Sequence, residues 1–145
     1  MQADKSVTTL NSILRGEISA VETYDQAIAK LDDDARVTEE LRRCRSSHEE
    51  RVNLLRAEIA RRGGKPESGS GAWGAFAKLV EGGAKTFGKK AAISALEEGE
   101  DHGLKQYRDD LPKLDSETRA SLESKLLSEQ QQTHDTMSTL KHTLH

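Results

Sequence analysis

Residues 7–31, VTTLNSILRGEISAVETYDQAIAKL, place Val7, Leu10, Leu14, Glu17, Val21, Tyr24, Ile28 and Leu31 at an unbroken alternation of three and four residues. That spacing keeps all of them on one stripe of an α-helix, the pattern of a helix that buries a single face. One member of the stripe is a carboxylate, Glu17. The run Asp32-Asp33-Asp34 then suits a short turn and the acidic start of a second helix.

The second helix is expected from Ala35 to Arg62, with Leu41, Cys44, Val52, Leu55 and Ile59 on its apolar face and His48 inside that row. Gly63 and Gly64 end it. Residues 63–71 form a glycine-rich linker, and a short helix is expected from Ala72 to Glu81. A third main helix follows from Thr86 to Leu111, before Pro112, burying Ile93, Leu96, Glu100, Gly103 or Leu104, Tyr107 and Leu111. Asp115 or Ser116 caps a fourth, which carries Leu122, Leu126, Leu127, Met137, Leu140 and Leu144. The expected fold is all-α, one domain over residues 1–145. It is a four-helix bundle whose long crossover carries a short extra helix.

Composition agrees with long amphipathic helices. Aromatics are 3% and charged residues 32% of the 145-residue chain, and only Pro66 and Pro112 interrupt helix formation. The net charge of −3 is well mixed, and the arginines at 42, 43 and 45 are flanked by acids, which argues against a nucleic-acid partner. Cys44 is the single cysteine, so neither an intrachain disulfide nor a thiolate zinc cluster is available. Residues 1–7 lack the basic-then-apolar pattern of a signal peptide, and no run approaches membrane-spanning length; the expectation is a cytoplasmic protein without a membrane partner.

An internal repeat points to a site. Gly16-Glu17 precedes Tyr24 as Gly99-Glu100 precedes Tyr107, by seven residues from Glu to Tyr in each case. His48 follows Glu17 by 31 residues, and His134 follows Glu100 by 34. Each half reads as a helix with Glu, then a helix with His. Together they would bring Glu17, His48, Glu100 and His134 toward one point in the core. A buried carboxylate must be protonated, paired or bound to a cation, and an imidazole–carboxylate set suits iron, zinc or manganese. Glu22, Glu97 and Glu98 are alternatives within a turn.

Leu10-Asn11, Glu22-Thr23-Tyr24, Gly63-Gly64-Lys65-Pro66-Glu67-Ser68-Gly69-Ser70, Glu98-Gly99-Glu100-Asp101, Tyr107 and His134-Asp135 resemble a small ferritin-like family of bacterial proteins of unassigned function. That family is distantly similar to rubrerythrins and bacterioferritins. The resemblance implies a link to metal or oxidative-stress handling. In metal-binding relatives the second and fourth helices each give Glu-x-x-His. Arg45 and Gln131 stand here in place of those glutamates, which makes any di-metal site a degraded one.

The same residues support a metal-free reading. Arg45 would neutralise Glu17 or Glu100, while His48, His134, Tyr24, Tyr107 and Gln131 complete a buried hydrogen-bond network. On that reading the chain is a structural or protein-interaction bundle and a homo-oligomer rather than an enzyme. Trp73, Phe76 and Phe87 would cover one end of the bundle or an oligomer contact. No Ser/His/Asp set, phosphate-cradling loop or Cys-x-x-Cys supports another chemistry.

Overall fold

The apolar stripe of residues 7–31 becomes α1, Gln2–Lys30, in a computed structural model that describes residues 2–69 and 88–144. Helix α2 spans Ala35–Arg61, α3 spans Lys89–Asp110, and α4 spans Ser116–Thr143, with a 3-10 turn at Leu111–Lys113. Among the described residues there is no strand, and the architecture is an all-α four-helix bundle. The short helix expected at 72–81, together with Trp73, Phe76 and Phe87, lies outside the described residues. Thr86 and Phe87, expected to open the third helix, also lie outside them; that helix begins at Lys89, after Gly88, whose φ of +88° is not helical.

Local chemistry sets the helix ends. Asp34 caps α2 by accepting from the Val37 backbone N–H at 3.2 Å. Gly63 stops that helix with φ +78°, a left-handed conformation that other residues adopt at a cost. Asp115 caps α4 through the Thr118 N–H at 2.8 Å. It also receives Arg62 at 2.7 and 3.1 Å and the Ser6 hydroxyl at 3.1 Å, which ties α1, the end of α2 and the start of α4 together.

The two ends of the bundle fix its topology. At one end the α1–α2 turn meets the start of α3 through Lys89 and Asp34, 2.9 Å apart. The opposite end holds Arg62 against Asp115. Helices α2 and α3 therefore run parallel, whereas α1 runs antiparallel to α2, and α3 to α4. Consecutive parallel helices need a connection about as long as themselves, ~40 Å for 27 residues at 1.5 Å each. The start of that connection is anchored on α1. The Asn11 side-chain amide donates to the Lys65 carbonyl at 3.0 Å and accepts from the Glu67 N–H at 2.8 Å, as a facing peptide group would. This pairing gives a physical reason for the sequence features at Asn11 and at 63–70 to occur together.

The core is in two parts. One apolar cluster, around Tyr24, Leu41, Ile93, Leu96 and Met137, fills the end nearest the α1–α2 turn. The other, around Leu10, Leu14, Leu55, Leu111 and Leu126, fills the far end. Between them lies a belt of buried polar side chains.

Replacing Asp115 with alanine removes the α4 cap and the partner of Arg62 together. We expect a loss of about 1–2 kcal/mol, measured by urea denaturation; an unchanged midpoint would contradict this role for Asp115.

Candidate functional site

The belt is built from four helices. Helix α1 contributes Glu17 and Tyr24; α2 contributes His48 and Arg51; α3 contributes Glu100 and Tyr107; α4 contributes Gln130 and Thr133. All eight are 4% exposed or less. Two carboxylates so buried cannot be left without partners, and the structure supplies one for every oxygen.

Glu100 accepts four side-chain bonds. Tyr24 Oη (2.5 Å) and His48 Nε2 (2.7 Å) reach Oε2, while Gln130 Nε2 (2.8 Å) and Thr133 Oγ1 (2.7 Å) reach Oε1. Glu17 accepts from His48 Nδ1 and from the Tyr107 hydroxyl, and its Oε2 lies 3.3 Å from the Arg51 guanidinium. The two halves are crossed. Each tyrosine donates not to the glutamate of its own helix but to the one opposite, so Tyr24 serves Glu100 and Tyr107 serves Glu17. Seven residues separate Glu from Tyr on each helix, about 10 Å along the axis, which is too far for a bond within one helix.

His48 sits between the carboxylates with one ring nitrogen on each. An ionised carboxylate only accepts, so both nitrogens must donate, and that requires the doubly protonated imidazolium. Arg51 supplies the second positive charge. It donates to Gln130 Oε1, to Thr133 Oγ1 at 3.2 Å and to Ser47 Oγ at 3.3 Å. His48 and Arg51 thus balance Glu17 and Glu100, and Glu129 at the rim, 3.8 Å from Arg51, has its own partner in Lys125 at 3.2 Å.

The electrostatics follow from this arrangement. Burial works to raise the Glu17 carboxyl, but the Arg51 guanidinium and the His48 imidazolium outweigh it and hold the group down to about 2. Glu100 is lowered in the same way: burial is opposed by His48 and Arg51. Burial and Arg51 press the His48 ring toward neutrality, yet Glu100 and Glu17 on its two nitrogens raise it above its ordinary value. Both tyrosines are pushed well above the usual phenol value by burial and by their carboxylate partners. They remain donors at any physiological pH. Burial pushes the neighbouring Cys44 thiol up to about 12, which makes it a packed apolar group rather than a nucleophile.

Of the four residues expected to form the site, the structure brings together Glu17, His48 and Glu100 and leaves out His134. That side chain is 20% exposed, and its Nε2 lies 2.6 Å from Asp101 at the surface. The reason is register. The buried row of α4 runs Leu122, Leu126, Gln130, Thr133, Met137 and Leu140, and His134 is one position off it. Gln131 is likewise exposed, bonded to Asp135, and its neighbour Gln130 holds the core position. Arg45 does not neutralise either glutamate. It pairs with Asp25 and Glu49 on the outside of the bundle. Glu22 and Glu98 are exposed, and Glu97 pairs with Lys141 at 3.0 Å.

Arg51, Gln130 and Thr133 are the members that sequence reasoning missed. Their signal was present. Leu41, Cys44, His48, Arg51 and Leu55 step by three and four residues, as do Leu126, Gln130, Thr133 and Met137. Gly103 confirms the closeness of α3 and α4 here, since a Cβ at that position would stand 2.6 Å from Gln130 Nε2. Among the described residues, no group of three or more His, Cys, Asp or Glu side chains is arranged to hold a metal ion.

A family model matches residues 5–113. The chain belongs to the family described as Domain of unknown function (DUF2383). The matched span contains Glu17, His48, Arg51 and Glu100 and stops before Gln130 and Thr133, so it covers the ionised members of the belt but not its α4 hydrogen-bonding partners. No curated protein matches the chain, and neither does any solved structure.

Arg51→Ala leaves two buried carboxylates with a single counter-charge, and we expect a cost of roughly 3–5 kcal/mol. Arg45→Ala, at the surface, should stay within about 0.5 kcal/mol of the parent. Chemical denaturation of both variants checks the pair, and equal losses would contradict the assignment of Arg51 to the core.

Proposed function

We propose that the chain is a ferritin-like bundle in which an internal salt-bridge centre stands where such folds carry a di-metal centre, and that it serves as a metal-independent structural or protein-interaction unit. The observation that carries this reading is Arg51, 0% exposed and 3.3 Å from Glu17. A guanidinium there provides the positive charge that a metal ion would otherwise bring to the carboxylates. The parallel α2 and α3 support the ferritin-like part of the reading, because a bundle with one long crossover has this topology.

The donor set does not fit a di-metal centre. Both nitrogens of His48 are committed to carboxylates, and α4 offers an amide and a hydroxyl, Gln130 and Thr133, in place of a carboxylate and an imidazole. Neutral amide and hydroxyl oxygens are weak ligands for iron or zinc beside carboxylate and imidazole. A fixed cation inside the cluster repels a second one.

A second reading keeps a single iron, zinc or manganese ion on Glu17, His48 and Glu100, with a role in metal or stress handling. It is favoured by the contact of His48 with both carboxylates. It requires His48 to lose a proton and Arg51 to withdraw.

Elemental mass spectrometry separates the two. After anaerobic loading with ferrous iron or zinc and exhaustive desalting, we expect well under about 0.1 ion per folded chain. Retention of about one ion per chain, abolished by His48→Ala, would replace the first reading with the second.

A further inference from the structure

The two buried carboxylates are not equally supplied with donors. An ionised carboxylate offers about four acceptor sites. Glu100 fills four, with Tyr24, His48, Gln130 and Thr133. Glu17, also buried, receives three donors among the described residues: His48 on Oε1, and Tyr107 and Arg51 on Oε2. One acceptor site is left over on Oε1, and burying it without a donor is costly.

A cleft of about 10 Å³ reaches this carboxylate from between α1 and α3. Gly16 and Glu17 line it from α1, and Gly103, Gln106 and Tyr107 from α3. The two glycines leave the facing helices without side chains at this level. Gly16 lies within a helix and has no left-handed backbone, so what glycine provides there is space. Of these five residues Gln106 alone is half-buried rather than buried, which puts it at the solvent side of the cleft. Its amide nitrogen bonds to the Ser12 carbonyl at 3.2 Å and so fastens α3 to α1 there. Space of this size holds about one water molecule, and an internal water needs roughly two to four polar partners. Glu17 Oε1, the Tyr107 hydroxyl and the side-chain carbonyl of Gln106 are the polar groups that the cleft offers.

We propose that this cleft binds a single water molecule that donates to Glu17, and that this water is a port through which the polar centre exchanges hydrogen with solvent. The Glu100 half has no counterpart, because side chains fill its acceptor sites. The inference rests on the metal-independent reading above, since a metal ion on Glu17 would take the same acceptor. The two tyrosines make the difference measurable. Both are buried and both donate to a carboxylate, but Tyr107 lines the cleft and Tyr24 does not. Burial alone gives the two hydroxyls similar exchange with solvent; a port at Glu17 makes Tyr107 the faster.

The test is proton NMR of the full, desalted chain, with its metal content read in parallel by elemental mass spectrometry. Water cross-relaxation to each tyrosine hydroxyl and the exchange rate of each hydroxyl are measured. We expect a water contact at Tyr107 and none at Tyr24, with Tyr107 exchanging about tenfold faster or more. Gly16→Ala adds a methyl group to a space with room for one water. It should remove the contact and slow Tyr107 to the rate of Tyr24. Gln106→Ala opens the solvent side and should speed Tyr107 further while leaving Tyr24 unchanged; it decides the matter should Gly16→Ala not fold. In metal-free protein, no water contact at Tyr107, equal rates for the two hydroxyls, or a Tyr107 rate indifferent to Gln106→Ala overturns the port and leaves the metal-independent reading standing. Equal rates would mean that both hydroxyls exchange only when the whole bundle opens. A chain that retains a metal ion, lost in His48→Ala, overturns that reading and this inference together.

Discussion

Two carboxylates buried in the middle of the bundle are balanced here by two positive charges, and the rest of this structure is arranged around that pairing. Glu17 and Glu100 come from α1 and α3, while both balancing cations, His48 and Arg51, come from α2. Helix α4 closes the centre with Gln130 and Thr133, each bonded to both Arg51 and Glu100, and sets Glu129 at its rim, 3.8 Å from Arg51 and paired outward with Lys125. Every helix is thereby held in register by the same group of atoms. The apolar core is divided by it into two clusters, each with side chains suited to its own end of the bundle.

Such a centre contributes less to net stability than its number of bonds suggests. Taking four charges out of water costs much of what their attraction returns, and well-packed apolar side chains of the same volume would often serve stability as well. What the charges supply here is a penalty on every wrong arrangement: a helix shifted by one residue leaves a buried ion unpaired. The same linkage sets a pH window. Glu17 and Glu100 are held below the ordinary value of 4.5, so their contribution is complete above that value and is lost as pH falls through the folded values, about 2 for Glu17. His48 is raised above 6.5, so its contribution is complete below 6.5 and is lost as pH rises through the folded value. The centre is therefore fully stabilising between those two limits.

The helices and half of the centre were legible in the sequence because periodicity reports burial directly. Glu17, His48 and Glu100 stand on otherwise apolar stripes, and the Glu–Tyr repeat at seven residues marked both tyrosines. The other half was obscured by residue type. Arginine and glutamine are mostly surface residues, so Arg51 reads as solvated although its spacing from His48 and Leu55 puts it on the buried stripe. The repeat also misled, since aligning His134 with His48 by chemistry overrode the register in which Gln130 and Thr133 continue the row from Leu126 to Met137. Periodicity was the better guide. The crossed pairing of Tyr24 with Glu100 and Tyr107 with Glu17 is a property of helices in contact, and no spacing within a single helix encodes it.

The charge state of the buried imidazole is the most direct test of this arrangement. Nitrogen-15 NMR of histidine-labelled protein reads that state directly, by the chemical shifts of Nδ1 and Nε2 and by the protons attached to each. At about pH 7.5, a unit above the ordinary histidine value, the His48 ring is expected to carry protons on both nitrogens, both protected from exchange, a signal that Glu17→Gln should remove. A His48 ring that is neutral there, with a single proton, would contradict it.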